Sequence, residues 1–335
     1  MRITILFGGT NKERLVSVAS AQALRAALPE ADLWFWEADD SVHETSGKAL
    51  RGHARPFEDP FKPDDVRVSP SIEQAMDRAK ADGRLLVLAL HGGRAENGEL
   101  QAMCELRGVA FTGSGSASSH LAFDKVAAKR FVEIAGVKSP ADIALEEIEA
   151  AFAKYGRLIA KPARDGSSYG LIFVNSKQDI VAVRNAAKLD EYLIEPCIAG
   201  VEATCGVLEQ SDGKVFSLPP IEIVPADGPF DYTAKYLLKS TQEICPGRFS
   251  PEVSAKIMEL SLLAHRALSC TGYSRTDFIV SRDGPIFLET NTLPGLTKAS
   301  LYPKALKAQG IDFADFLRDQ IVIAERRADL AGPAW

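Results

Sequence analysis

Four short apolar runs open the chain, at 3–7, 33–36, 85–90 and 109–112, and residues at helical spacing fill 17–27 and 72–81 between them. Strands that alternate with helices return to one sheet only through crossovers, so the pattern predicts a parallel α/β first third. The segment 37–70 is polar and dotted with proline, and reads as irregular excursions or short extra strands.

Beyond this third, the periodicity predicts a helix over 119–135, closed by Gly136 and Pro140. Strands at 158–163, 171–174 and 192–195 surround a Gly-Ser loop and a helix at 177–187. Further strands fall at 203–208 and 221–224. A long helix then starts with Ser250 as N-cap and Pro251 as first residue, with Gly272 beyond its end, and two helices follow the last strands.

At 335 residues the chain is too long for one ordinary core and suits two or three units. Apolar residues at 46% and charged ones at 25% provide enough material for burial, which argues against disorder. The net charge of −6, without a basic stripe, makes nucleic acid and anionic membrane poor partners. No apolar run reaches the length of a membrane span. The N-terminus lacks the basic and long apolar segments of an export signal. Five cysteines, with no C-x-x-C pair, read as reduced thiols and not as a disulfide frame or zinc site. The expectation is a cytoplasmic protein.

The strand-like runs 273–281 and 285–290 are separated by Arg282-Asp283-Gly284, which predicts a hairpin with a three-residue loop and Gly284 left-handed. That register pairs 281 with 285, 277 with 289 and 275 with 291, and puts Arg275, Asp277, Glu289 and Asn291 on one face. Two carboxylates directly opposite each other repel, so something positive must compensate. Oxygen ligands suit a hard cation such as Mg²⁺, which also holds substrate phosphates. The bland alternative is that one carboxylate faces solvent or pairs with Arg275.

Phosphate chemistry also asks for cations and backbone donors. Lys161 lies in a strand before the loop 164–170, whose glycines allow close approach to an anion. The loop is not a Walker motif, and Gly8-Gly9-Thr10 lacks dinucleotide-fingerprint spacing. Lys125, after Asp124 on a helix, is a second candidate; its bland reading is a solvated lysine.

Taken in order, Phe7-Gly8-Gly9-Thr10 with Glu13-Arg14, His91-Gly92 with Glu96 and Gly98, Thr112-Gly113-Ser114-Gly115 and Phe123-Asp124-Lys125 form a set. It continues through Lys161-Pro162 with Gly166-Ser167-Ser168, Asp231 to Tyr236, Arg275-Thr276-Asp277, Glu289 to Gly295 and Ser300 to Pro303. This ordered set resembles the D-alanine–D-alanine ligases of the ATP-grasp superfamily over essentially the whole chain.

The resemblance implies an α/β ATP-grasp fold with an N-terminal Rossmann-like (pre-ATP-grasp) domain. Its units would be an N-terminal substrate domain over 1–113, a central lid domain over 114–195 and a catalytic domain over 196–330. It implies ATP-dependent, ADP-forming ligation of two D-alanines through an acyl phosphate, for peptidoglycan precursors, by a homodimer. Lys125 and Lys161 would hold phosphates, and Glu195 and Glu202 adenine and ribose. Asp277, Glu289 and Asn291 would hold two Mg²⁺ ions, or Mn²⁺ in their place.

Glu13, aided by His91, would take the first substrate's ammonium, and Arg275 with the Gly295 N–H the oxyanion. Lys235, Ser300 and Leu301 would hold the second carboxylate. Tyr236, Ser167 and Glu13 would form a trio closing the site against water. Alone, His91 reads as a satisfied loop histidine, Tyr236 as a packing aromatic and Glu13 as a first-turn carboxylate. Departures from the family pattern at Leu15, Ala95, Asn97 and Lys298 leave open a ligase for a different amino-acid pair, and Pro196 stands where the family commonly has lysine. A separate alternative is a nucleotide-binding regulatory homologue without catalysis.

Overall fold

The computed structural model describes residues 1–164, 166, 169–224 and 241–331. Each apolar run of the first third becomes a strand of one sheet. Its members are β1 (Arg2–Gly8), β2 (Asp32–Trp36), β3 (Val42–Glu44), β4 (Arg67–Ser69), β5 (Arg84–Ala89) and β6 (Ala110–Phe111), in the order β4-β3-β2-β1-β5-β6. β1 runs parallel to β2 and β5, and β5 to β6, while β3 and β4 add antiparallel at one edge. Helices α1 (Arg14–Ala27), α2 (Gly47–Gly52), α3 (Ile72–Ala81), α4 (Gly93–Glu96) and α5 (Glu99–Arg107) connect these strands. The excursion at 37–70 thus holds two short strands and, unforeseen, the helix α2.

Both faces of this sheet are buried, which is why β1 and β5 are apolar without alternation. One face carries Leu6, Trp34, Leu86 and Leu88 against α3 and α5. The other carries Ile5, Phe7 and Val87, in a core that extends to Tyr273, Tyr302 and Phe316 far along the chain.

The helix expected over 119–135 is two helices, α6 (Ser116–Phe123) and α7 (Lys125–Ile134). Asp124 divides them because it is a capping residue. Its backbone is extended, and its Oδ1 accepts the Ala127 N–H at 3.0 Å. Ala128 and Val132 then pack with Ile257, Phe278 and Phe287.

A small antiparallel sheet follows, β8-β7-β9, made of β7 (Leu158–Pro162), β8 (Ile172–Val174) and β9 (Tyr192–Pro196). The helices α8 (Ile148–Tyr155) and α9 (Lys177–Ala186) cover one side of it, where Leu158, Ala160, Val174 and Ile194 are buried.

The larger antiparallel sheet has the order β13-β12-β10-β14-β15 with β11 on β10. These are β10 (Val201–Glu209), β11 (Val215–Ser217), β12 (Ile221–Val224), β13 (Gln242–Ile244), β14 (Tyr273–Ser281) and β15 (Gly284–Asn291). Three helices belong to the same part, α10 (Pro251–Ala267), α11 (Leu301–Ala308) and α12 (Phe313–Ala331). α10 starts as expected, with the Ser250 hydroxyl accepting the Val253 N–H and Pro251 first. It ends, as expected, before Gly272. The chain leaves the helix after Ala267 through Ser269, whose φ of +52° turns it.

The β14–β15 hairpin departs from its expected register near the turn. Ser281 pairs with Gly284 across a two-residue loop, and the pairing shifts by one between Phe278 and Asp277. This bulge restores Asp277 opposite Glu289 and Arg275 opposite Asn291, the pairs expected from the sequence. Among the described residues, no helix is long and apolar enough to cross a membrane.

Phe316 of α12 is 1% exposed, with ring centroids 5.4 Å from Tyr273 and 5.6 Å from Tyr302. Phe316→Ala should destabilise the protein by about 3–5 kcal/mol. Because the core is shared, urea unfolding should lose N-terminal and C-terminal structure together. A variant whose two sheets melt in separate steps would contradict the shared core.

Candidate functional site

Strand alternation puts Arg275, Asp277, Glu289 and Asn291 on one face of the β14–β15 pair, where all four line a cavity. The repulsion between Asp277 and Glu289 is offset by side chains. Arg275 grips Asp277 with two N–H donors, each at 2.9 Å. Asn291 Nδ2 donates to Asp277 Oδ2 at 3.3 Å, and Thr204, opposite Asp277 on β10, donates to Oδ1 at 2.5 Å. Lys125 Nζ stands 3.5 Å from Glu289 Oε2. Lys125 is therefore a buried partner of Glu289, and the solvated reading of it is withdrawn. The bland alternative for Asp277, an ion pair with Arg275, is what the structure holds.

Among the described residues, no group of three or more His, Cys, Asp and Glu is disposed to hold a metal. The oxygen donors here are two carboxylates and one amide.

On the small sheet, Lys161 and Glu195 share the face turned away from the apolar core, since Leu193 pairs with Lys161 and Glu195 lies two residues on. Lys161 Nζ is 3.0 Å from Glu195 Oε2. The other carboxylate oxygen, Oε1, accepts from Lys129 at 2.5 Å. Lys129 escaped the sequence reading, although its spacing of four from Lys125 puts both on one side of α7.

Glu13, His91, Glu202, Gly295, Ser300 and Leu301 line the same cavity as the Asp277 face. Glu13 precedes α1 and reaches Gly92. A Cβ at Gly92, whose φ is +64°, would stand 1.8 Å from Glu13 Oε2, so only glycine fits. Gly295 is similarly crowded by Ser300 Oγ, 2.8 Å from its would-be Cβ. Ser300 precedes α11 without capping it, its hydroxyl turned to Thr297 Oγ1 at 2.7 Å.

His91 requires a correction. Its Nδ1 lies 3.1 Å from the Leu293 carbonyl, which can only accept, and its Nε2 lies 2.9 Å from Ser20 Oγ. The ring is thus a neutral Nδ1–H tautomer with both nitrogens engaged. Burial lowers its pKa to about 4, against the pull of the Leu293 carbonyl and helped by Arg275. It ties the end of β5 to the turn before Gly295 and has no spare donor or acceptor for an ammonium.

Glu96, noted in the sequence only as part of a motif, also lines the cavity. Its pKa is pushed up to about 7 by removal from water and then by Glu13, although the Gly92 N–H donates to it at 3.0 Å. Phe57 and Glu243 complete walls that the sequence did not announce, because they come from an excursion and a three-residue strand. Ser167, Lys235 and Tyr236, with the trio expected of them, lie outside the described residues.

Known proteins resemble this chain over nearly its whole length. The family model described as D-ala D-ala ligase N-terminus matches residues 2–114, and that described as D-ala D-ala ligase C-terminus matches 129–323. A D-alanine–D-alanine ligase of Halalkalibacterium halodurans is 35% identical over 327 residues, covering 95% of this chain and 97% of that protein. The VanG D-Ala:D-Ser ligase of Enterococcus faecalis superposes with a TM-score of 0.78 at 30% identity, covering 96% of this chain and 99% of the other. The Bacillus anthracis D-alanine–D-alanine ligase complexed with ATP gives 0.74 at 26%, covering 99% and 100%. The expected α/β ATP-grasp architecture with its N-terminal Rossmann-like part is the fold observed.

His265 is buried like His91, with its pKa lowered by burial to about 4. In the unfolded chain both take up a proton near pH 6.5, so the unfolded state binds more protons between pH 6.5 and 4, and stability falls with pH through that window. Each histidine should cost about 2 kcal/mol between pH 8 and pH 5. Urea unfolding at the two values should show the drop, reduced by about half of the histidine share in His91→Gln. An undiminished drop in that variant would mean that His91 is not held neutral.

Proposed function

The chain belongs to the D-alanine–D-alanine ligase family, and we propose how its side chains divide the work of that reaction. It is an enzyme that consumes ATP, releases ADP and joins two D-alanines for peptidoglycan precursor synthesis. One carboxylate is phosphorylated, and the amine of the second substrate then attacks the acyl phosphate. The observation that carries the assignment is the single cavity in which Glu13, Arg275, Asp277, Glu289, Asn291 and Gly295 meet.

Two Mg²⁺ ions, or Mn²⁺ in their place, fit Asp277, Glu289 and Asn291. The donors are oxygens, as hard cations require, and the apposed carboxylates otherwise rely on Arg275 and Lys125. Bound there, the ions would supply positive charge for the transferring phosphate. Lys125 and Lys161 take the remaining phosphate charge, Glu195 accepts from the adenine amine, and Glu202 accepts from the ribose hydroxyls.

Glu13 receives the first substrate's ammonium. Its neighbour Glu96, with its pKa raised to about 7 by burial and then by Glu13, carries only part of a negative charge near neutrality. The Arg275 guanidinium and the Gly295 N–H face the oxygen that becomes anionic in the tetrahedral intermediate. Donors fixed before the reaction stabilise such charge best. The second carboxylate meets Ser300 and the Leu301 N–H at the start of α11, where the helix dipole favours an anion, and Lys235. Ser167 and Tyr236, with Glu13, close the site against water.

Among the described residues that line this cavity, none is a departure from the family pattern. Ala95 is buried, Asn97 is bonded to Glu99, Lys298 is exposed, and Leu15 borders a neighbouring depression. This favours D-alanine over another pair, and the intact set favours an enzyme over a regulatory homologue. The three sheets support units at 1–113, 114–195 and 196–330, with α6 and α7 docked on the large sheet. A cytoplasmic homodimer completes the reading.

Asp277→Asn tests the assignment. Unlike a site whose carboxylates merely repel, this one loses the bidentate partner of Arg275, so the variant should be less stable, by about 1–3 kcal/mol. Turnover of ATP and D-alanine, followed by phosphate release and the dipeptide mass, should fall by about a hundredfold or more. Near-parental turnover at limiting Mg²⁺ would overturn the metal face. Absence of D-alanyl-D-alanine from the parent would overturn the substrate.

A further inference from the structure

Lys129 has no part in the assignment above, yet among the described residues it is the most completely buried cation near the site, its side chain 2% exposed. It adds a buried side-chain link between α7 and the small sheet, beside the Lys125 N–H to Ala163 carbonyl bond of 3.0 Å. α7, which carries it, belongs to the core of the large sheet, while its carboxylate partner Glu195 sits on β9 of the small one. On its far side it meets Asp142, in the segment that runs beside β9 through the Ile143 N–H to Ile194 carbonyl bond of 2.9 Å.

The Glu195 carboxylate is buried and accepts from a lysine on each oxygen: Lys129 on Oε1 at 2.5 Å and Lys161 on Oε2 at 3.0 Å. The two ammoniums differ in freedom. Lys161 is partly exposed at 12% and bonded to one carboxylate, whereas Lys129 is enclosed and held by two. A nucleotide that draws Lys161 toward its phosphates leaves Glu195 with Lys129 alone. A buried carboxylate without any partner would turn neutral or move, because burying an isolated charge is costly. With Lys129 in place it keeps its charge and direction, and it has lone pairs to spare for a further donor.

We propose that Lys129 is the positioning residue of the nucleobase subsite, fixing Glu195 as acceptor for the exocyclic amine of adenine while Lys161 is released to phosphate. The inference rests on the nucleotide reading of Glu195 given above. It makes Lys129 a determinant of which purine nucleotide is used. A site built to accept a hydrogen bond discriminates against a ligand without the donor, and inosine triphosphate carries an oxygen where ATP carries the amine.

The experiment compares ATP with inosine triphosphate as phosphate donor, with D-alanine saturating, in the parent, Lys129→Met, Lys129→Gln, Lys129→Arg and Glu195→Gln. Lys129→Met should raise KM for ATP about tenfold or more, with a smaller change in kcat, as expected for lost ground-state positioning. Its preference for ATP over inosine triphosphate should collapse toward that of Glu195→Gln. Lys129→Arg should recover most of the preference, and Lys129→Gln, which keeps a polar end in case the methionine variant folds poorly, should lose it. Equal losses with both nucleotides would make Lys129 merely structural and overturn the inference. A preference lost in Glu195→Gln but kept in Lys129→Met and Lys129→Gln would overturn it alone. A preference unaffected in Glu195→Gln would remove the adenine assignment, and the inference with it.

Discussion

Two like charges stand opposite each other on adjacent strands, and much of the site is arranged around that repulsion. Asp277 and Glu289 are a cross-strand pair, a placement that ordinarily destabilises a sheet. The offsetting groups come from four directions. Arg275 lies two residues before Asp277, Asn291 two residues after Glu289, Thr204 on the neighbouring strand β10, and Lys125 at the start of α7. Removing any one leaves the others to hold a charge pair that the backbone itself enforces. The same groups line the cavity with their donors already oriented.

α7 carries this logic from one sheet to the other. Its first residue serves Glu289 on the large sheet, and its fifth serves Glu195 on the small one. Asp124, which interrupts the helix expected over 119–135, makes this possible. By capping a new helix there it sets the rotation of α7, and its Oδ2 also accepts from Arg164 at 2.8 Å, at the entrance of the glycine loop.

The sequence was most legible where periodicity and local chemistry act together. The strands of the first sheet, the start of α10 and the pairing of Asp277 with Glu289 all follow from such signals. The last followed partly through compensation. The expected three-residue turn is two residues long, and a bulge between Phe278 and Asp277 returns the missing step. A bulge depends on what packs across the sheet, here Phe278 against Phe287, and leaves no local mark. α10 ends before Gly272 as expected, although Ser269, and not a glycine, takes the left-handed position just after it. His91 shows the limit of motif order: Ser20, 71 positions before it, and Leu293, 202 positions after it, engage its ring, and they make it a strut. Lys129 was passed over because a lysine on a helix is usually solvated, and only the fold brings Glu195 to it.

The apolar core beneath β1 and β5 is finished by Phe316, Leu317, Ile321 and Ala324 of α12. Ribosomes deliver a chain from its N-terminus, so Ile5, Phe7 and Val87 are made long before the residues that cover them. The first sheet can pair its strands and bury the face against α3 and α5 early, but its other face, covered in part by Val18, Ala21 and Leu24 of α1, is not fully closed until α12 has emerged. Contacts so distant in sequence are slow to close. The nascent protein therefore passes through a stage in which an apolar surface, complete in shape and unfinished in cover, must be kept from its neighbours.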